Sequence, residues 1–303
     1  MIQGKRFSRL FIPLLLLGML CGPTSALGKN TLFPVASTPQ KLTPLMEREL
    51  RGCFDFFWEE WNSDPKSPTY GMTNGDYIGI HNYVPLAIEE QGFYFTAIVI
   101  GVERGWITRE QGEKRILITL KTLKNLKRIN GFWYHFIDPD TGKRGWKDSH
   151  NIELSNASAG TMLLGALAAA EYFGGEIETL TNELYAEMNW KWFTNPETKH
   201  PYLACYPEDL PAKVPPGINK EGMFGGWSAY SEHIFLYILA AGSPNPDFAT
   251  GADSYYAMKT YKGRYKGETF IFCGTGAAFT YQWTHAFIDF RNLRDKLDRD
   301  WFD

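Results

Sequence analysis

Ser155-Asn-Ala-Ser-Ala-Gly-Thr-Met-Leu-Leu-Gly-Ala-Leu-Ala-Ala-Ala-Glu-Tyr-Phe173 is the stretch that decides the fold. It has no proline, it is rich in the best helix former, and it carries glycine at 160 and 165. A helix with so many small residues offers faces on which a second helix can lie close. Working outward, the same helical period recurs on both sides. Upstream, a first helix is expected over 44–61, with Leu45, Leu50, Phe54, Phe57 and Trp58 on its apolar side. Helical pattern returns over 92–103, and Thr108-Arg-Glu-Gln111 is a capping box that opens a helix to about Leu126. Asn130 to Lys147 reads as a small hairpin, turned at Asp138-Pro-Asp-Thr-Gly142.

Downstream, a helix is expected over 176–193, then Gly222-Met-Phe-Gly-Gly-Trp-Ser-Ala-Tyr-Ser-Glu232 runs into the apolar Ile234 to Leu239. Ser228 is read as an N-cap, Glu232 as a first-turn acid, and Gly242-Ser-Pro244 as the stop. A helix or extended piece near 247–260 and a final apolar helix over 277–297 complete the series. Residues 62–91 and 194–226 are long loops rich in Pro and Gly, of the kind that carry function. The expectation is an all-α chain of about eight helices, an incomplete toroid with long loops at one end and a small β-hairpin.

The leader has its own character. Lys5, Arg6 and Arg9 precede an apolar run from Leu10 to Leu20 that is short for a bilayer span, and Thr24-Ser-Ala26 follows. Residues 1–26 are read as a signal peptide cleaved after Ala26, 27–42 as a linker and 43–303 as one domain, so the chain is expected to be periplasmic or secreted. Cys53, Cys205 and Cys273 would remain, an odd number with no metal-ligand spacing. No metal or cofactor is expected. A net charge of −3 argues against a partner held through phosphates. The excess of 10 Trp, 16 Tyr and 21 Phe suits a sugar cleft as well as a large core.

Phosphate loops, His-Glu-x-x-His zinc patterns and Gly-x-Ser-x-Gly elbows are all missing from the sequence. The chemistry is left to carboxylates. Glycoside hydrolysis needs two of them flanking one bond. Glu153, Glu232, Asp289 and Asp148 lie where loops meet helices, with Asp289 read as a structural partner of Arg291 or His285.

Seven segments come in a familiar order: Gly101 to Thr108, Gly131 to Phe136 with Thr141-Gly142, Glu153-Leu-Ser155, Trp190-Lys-Trp192, Gly226 to Glu232, Leu239 to Pro244, and Gln282-Trp-Thr-His285 to Asp289-Phe-Arg291. Together they resemble the glycoamylase-like family, which includes endo-β-1,2-glucanases and a domain of cyclic β-1,2-glucan synthases. The resemblance runs over residues 44–303. It implies an (α/α)6 toroid, a sugar cleft at the helix ends, and inverting hydrolysis of a β-linked glucan. It places Glu232 and Glu153 at acidic positions of the site. Trp227, Tyr230, Trp133, His135, Gln282, His285 and Asp76 form the expected substrate-binding set. Two departures stand out. Ser158 occupies a position where the family has an aspartate, and the family's domain continues beyond the place where this chain stops. Three explanations stand for the open side of the ring: a downstream chain that completes it, a homo-oligomer that covers it, or a degenerate protein. A non-catalytic carbohydrate-binding protein or an assembly subunit are the alternatives to an enzyme.

Overall fold

The structure, a computed structural model, describes residues 42–76, 84–145, 152–208, 210 and 214–302. The leader, nearly all of the linker, His81, Tyr83 and Asp148 lie outside the described residues. Among the described residues there are seven α-helices: α1 (Pro44–Glu59), α2 (Ile88–Glu103), α3 (Arg109–Asn125), α4 (Asn156–Phe173), α5 (Gly175–Glu187), α6 (Ile234–Ala241) and α7 (Ala252–Ala257).

These helices sort into two layers, and sequence explains the sorting. The residues of α4 are apolar or small almost all round, so the helix is buried on nearly every side. The same holds for α6, where every residue from Ile234 to Ala240 is buried. By contrast, α3 buries only Gly112, Ile116, Thr119, Leu120 and Leu123, one stripe at helical spacing. Helices α2, α4 and α6 therefore form an inner layer. Helices α1, α3, α5 and α7 cover it from outside, each packed on an inner neighbour.

The inner layer is held by one close seam, the most extensive contact between any two helices here. A Cβ on Gly92 would lie 2.2 Å from the Thr161 carbonyl oxygen, and one on Gly165 would lie 2.0 Å from the Gly92 carbonyl oxygen. Only hydrogen fits in either place. The capping box expected at Thr108 is present, whereas Ser228, expected to cap the helix at 234–241, lies well before it, with His233 in the N-cap place. Ser155 Oγ accepts from the Ser158 amide at 3.1 Å, and Thr108 with Gln111 forms a complete capping box at the head of α3.

Short antiparallel pairs lace the loops at one end of the helices. β1 (Leu86–Ala87) pairs with β2 (Phe136–Ile137), and β3 (Ala204–Cys205) with β4 (Met223–Phe224). Leu154 bridges both Tyr134 and Cys205. Of the expected hairpin over 130–147, the Asp138 turn and an Ile137–Arg144 bridge are present.

Three expectations need correction. The apolar segment after Ala277 is not a helix. It makes 3₁₀ turns at Ala278–Tyr281 and Thr284–Ala286 and then runs irregularly to Phe302. Phe279, Trp283, Phe287 and Phe290 recur at helical spacing, which is why the segment reads as a helix, but tertiary packing overrides the pattern: Trp283 and Phe287 pack on Phe93 while the backbone turns. The longest strands, β5 (Tyr261–Tyr265) and β6 (Glu268–Phe272), form a hairpin that the sequence reading missed. Its turn at Lys266-Gly267 has both residues at positive φ, the turn chemistry that joins such strands. Finally, α6 starts at Ile234 with His233 at its N-cap, so Glu232 precedes the helix instead of standing in its first turn. Cys53, Cys205 and Cys273 are all free thiols. No helix among the described residues is long and apolar enough to cross a membrane.

Candidate active site

Backbone lacing brings three polar side chains to one point. The His135 amide donates to the Glu153 carbonyl at 2.8 Å, and the Ile88 amide donates to the His135 carbonyl at 3.1 Å. β2, the lead-in to α4 and the first turn of α2 are thus stitched side by side. Their side chains then meet: His135 Nδ1 lies 2.8 Å from Glu153 Oε1, and His135 Nε2 lies 2.9 Å from Glu89 Oε1. The imidazole is stacked on Phe136 at 4.1 Å between ring centres.

The electrostatics follow from this contact. Burial alone would lower the His135 pKa, but the hydrogen bonds and charges of Glu153 and Glu89 overcome it and push it up to about 10. Burial of Glu89 works to raise its pKa. The His135 bond and charge, helped by the Ser158 hydroxyl, hold it below the ordinary value instead. Glu90, one residue on, has no side-chain hydrogen-bond partner of that kind among the described residues, and the His135 charge lowers it only in part. Burial and the neighbouring Glu89 charge push its carboxyl up to about 8.

Glu89, His135 and Glu153 form one wall of a cavity of about 370 Å³. Ser155, Ser158 and Thr161 of the α4 region form its floor, and Trp227, His233 and Trp283 its other wall. The Trp227 indole donates to Asn156 Oδ1 at 3.4 Å, and the Trp283 indole to Thr161 Oγ1 at 3.2 Å, so both rings are tied to α4. The His233 ring packs on Trp227 at 3.9 Å between centres. Burial pulls its pKa down to about 3 against the pull of the Glu89 charge, so this imidazole is neutral. No group of three or more His, Cys, Asp or Glu among the described residues is arranged to hold a metal ion.

Residues 225–303 match the Glycoamylase family model, described as "Putative glucoamylase". Over 246 residues, 77% of its length, the chain is 29% identical to an exo β-1,2-glucooligosaccharide sophorohydrolase (non-reducing end) of Parabacteroides distasonis. An endo-β-1,2-glucanase from Chitinophaga pinensis, solved with sophorotriose and glucose, superposes with a TM-score of 0.68 at 22% identity, over 85% of this chain and 62% of that one. The chain is thus similar to the glycoamylase-like family over residues 225–303 and shares the fold of these solved structures. A β-1,2-glucanase structure from Parabacteroides distasonis superposes with a TM-score of 0.54 at 22% identity, over 82% of this chain and 32% of that one. The chain spans 31% of the sophorohydrolase and under two thirds of the Chitinophaga structure.

Of the residues expected in the site, the cavity brings together Glu153, His135 and Trp227. Glu232 stands just behind it. Its Oε1 lies 3.6 Å from His233 Nδ1, and its carbonyl accepts from Thr284 Oγ1 at 2.7 Å. Its other carboxyl oxygen is buried with no hydrogen-bond partner among the described residues. Trp133 is a correction: it is fully buried and donates its indole N–H to the Leu123 carbonyl at 3.0 Å, so it is core and meets no sugar. Tyr230 is stacked on Trp301 and lines a separate aromatic hollow with Tyr281 and Phe302. His285 lines a third hollow beside Asp289, which pairs with Arg291 at 2.6 Å. Gln282 and Asp76 are exposed and outside the cavity lining, although the Asp76 charge reaches Glu90.

Glu89, His233, Tyr206 and Trp283 line the cavity and were not among the expected site residues. Glu89 had a signal: two adjacent glutamates immediately before an apolar helical run are a first-turn pattern. The helix was expected to begin at Gly92, which left both acids in a loop. Ser158, at the position where the resemblance expects an aspartate, sets its Oγ 2.9 Å from Ser155 Oγ and supports the Glu89 charge.

Proposed function

We propose that the protein is a glycoside hydrolase acting on β-linked glucan, with β-1,2-glucan as the favoured substrate. The observation that carries this reading is the cavity itself, in which Glu153 stands with the indoles of Trp227 and Trp283 around one space of sugar size. Flat rings take the C–H faces of pyranoses, and carboxylates take their hydroxyls. The printed functions of the relatives, a sophorohydrolase and endo-acting β-1,2-glucanases, support the linkage. In the proposed inverting reaction Glu153 activates the water and Glu232 protonates the leaving oxygen. The two-layered helices are read as part of an (α/α)6 ring, residues 43–303 as one domain, and residues 1–26 as an export signal. Mass spectrometry of the secreted protein, with Leu27 as its first residue, would support the last point.

Reducing-end release from β-1,2-glucan tests the activity. Release by the native protein and its loss by about a hundredfold or more in both Glu153→Gln and Glu232→Gln is expected. No release, or equal release by the variants, ends the hydrolytic reading. A second reading has its own support: His135 ties up Glu89 and Glu153 together, as a binding site for neutral sugar would allow. Calorimetry with β-1,2-linked gluco-oligosaccharides that shows heat of binding without turnover would select it.

A further inference from the structure

Glu153 makes its cavity-side hydrogen bond to His135, and His135 makes its other one to Glu89. The three groups come from three segments, the lead-in to α4, β2 and the first turn of α2. Each ring nitrogen has one carboxylate, so the imidazole cannot rotate about its own axis without breaking both bonds. Its face is closed by Phe136. The far end of the chain of contacts is equally fixed. Glu89 sits on the first turn of α2, three residues before Gly92, which is pressed against α4. We propose that Glu89 is a positioning residue, which acts through His135 to set the aim of Glu153 in the cavity. This inference rests on the reading of Glu153 as the group that activates water.

Two observations argue that the contact is built for aim and not for packing. The three side chains are only partly covered, with 22–27% of their surface exposed, and all three line the cavity. A core network would be withdrawn from the space it borders. The charges around His135 are also arranged with one cation between anions. Glu89 and Glu90 approach from α2 and Glu153 from the lead-in to α4, while Asp76 acts on Glu90 from its loop and Tyr206 feels Glu153 from the end of β3. Among the described residues no cationic side chain other than His135 lines the cavity, and His233 is neutral. Arg144 acts on Tyr206 from outside the lining, so among the described residues His135 is the charged partner that both carboxylates touch, and losing Glu89 leaves Glu153 to hold the ring.

The experiment uses Glu89→Gln in the full chain, a change that keeps the shape and one hydrogen bond while removing the charge. The ring signals of His135, assigned by their loss in His135→Gln, are followed by NMR through a pH titration. In the native protein the ring should remain charged beyond pH 9, and in Glu89→Gln its midpoint should fall by more than one pH unit. Kinetics on β-1,2-gluco-oligosaccharide should show kcat lower by about tenfold or more with KM within about twofold, as misaim of a reacting group predicts. An unchanged midpoint overturns the inference, as does a native ring that titrates near 6.5. So does a change confined to KM. If the native protein shows no turnover, the hydrolytic reading falls on its own, and the titration still shows whether Glu89 holds the ring. Unfolding midpoints of the variant within a few degrees of the native value separate aim from fold.

Discussion

Two histidines stand on two walls of one cavity, one charged and one neutral. His135 lies between two glutamates and stays protonated up to about pH 10; His233 lies between Trp227 and a buried carboxyl and stays neutral down to about pH 3. Both are withdrawn from water, so burial does not distinguish them. What differs is partners. Carboxylates within hydrogen-bond reach of both nitrogens outweigh desolvation at His135. At His233 a single oxygen at 3.6 Å does not. The polar wall is thus charged, and the aromatic wall apolar and uncharged.

The most severe way to disturb both walls together is Gly165→Ala. The new methyl would stand 2.0 Å from the Gly92 carbonyl, and backbone cannot yield as a side chain can. A loss of about 3 kcal/mol or more is expected in urea unfolding. Next comes His135→Leu, which removes the cation and leaves Glu89 and Glu153 facing each other. Partial solvent access softens this to about 2–3 kcal/mol, read from the same unfolding curves at pH 7.

The third test turns on pH. The folded His233 has a depressed pKa, so below 6.5 the unfolded chain takes up a proton that the folded chain refuses, and stability falls as the pH drops towards 3. His233→Phe removes that penalty. Relative to the native protein it should gain about 2 kcal/mol at pH 5 compared with its difference at pH 8. The His135 contribution runs the other way, complete below 6.5 and lost as the pH rises through about 10. Opposed limbs in the stability profile would confirm the contrast between the walls; a flat acid limb in the native protein would break it. The smallest effect is expected from Ser158→Asp. It sets another carboxylate against Glu89 and should cost about 1 kcal/mol at pH 7, diminishing as the pH is lowered and the added acid is protonated.

The helices were legible because each carries its own signal. The capping box at Thr108, the small faces of 156–173 and the glycine stop at Gly242 are local facts, and local facts are what a sequence displays. The last quarter was not legible for the same reason. Its aromatics predict burial without saying against what, so an apolar run was read as a helix where the chain makes 3₁₀ turns. The site was half legible. Glu153, His135 and Trp227 were found, but Glu89 was hidden by a helix start placed four residues late. Trp133 looked like a sugar platform because only three-dimensional packing shows that its N–H is already committed to Leu123.

The glycine seam between α2 and α4 also governs how this molecule can breathe. Two helices whose backbones touch at Gly92 and Gly165 move as one plate, so the polar wall standing on their ends has almost no freedom to open. The other wall hangs on loops, with Trp227 and Trp283 tethered to α4 by single hydrogen bonds. Any widening of the cavity is therefore expected to come from the aromatic side, like a door against a fixed jamb.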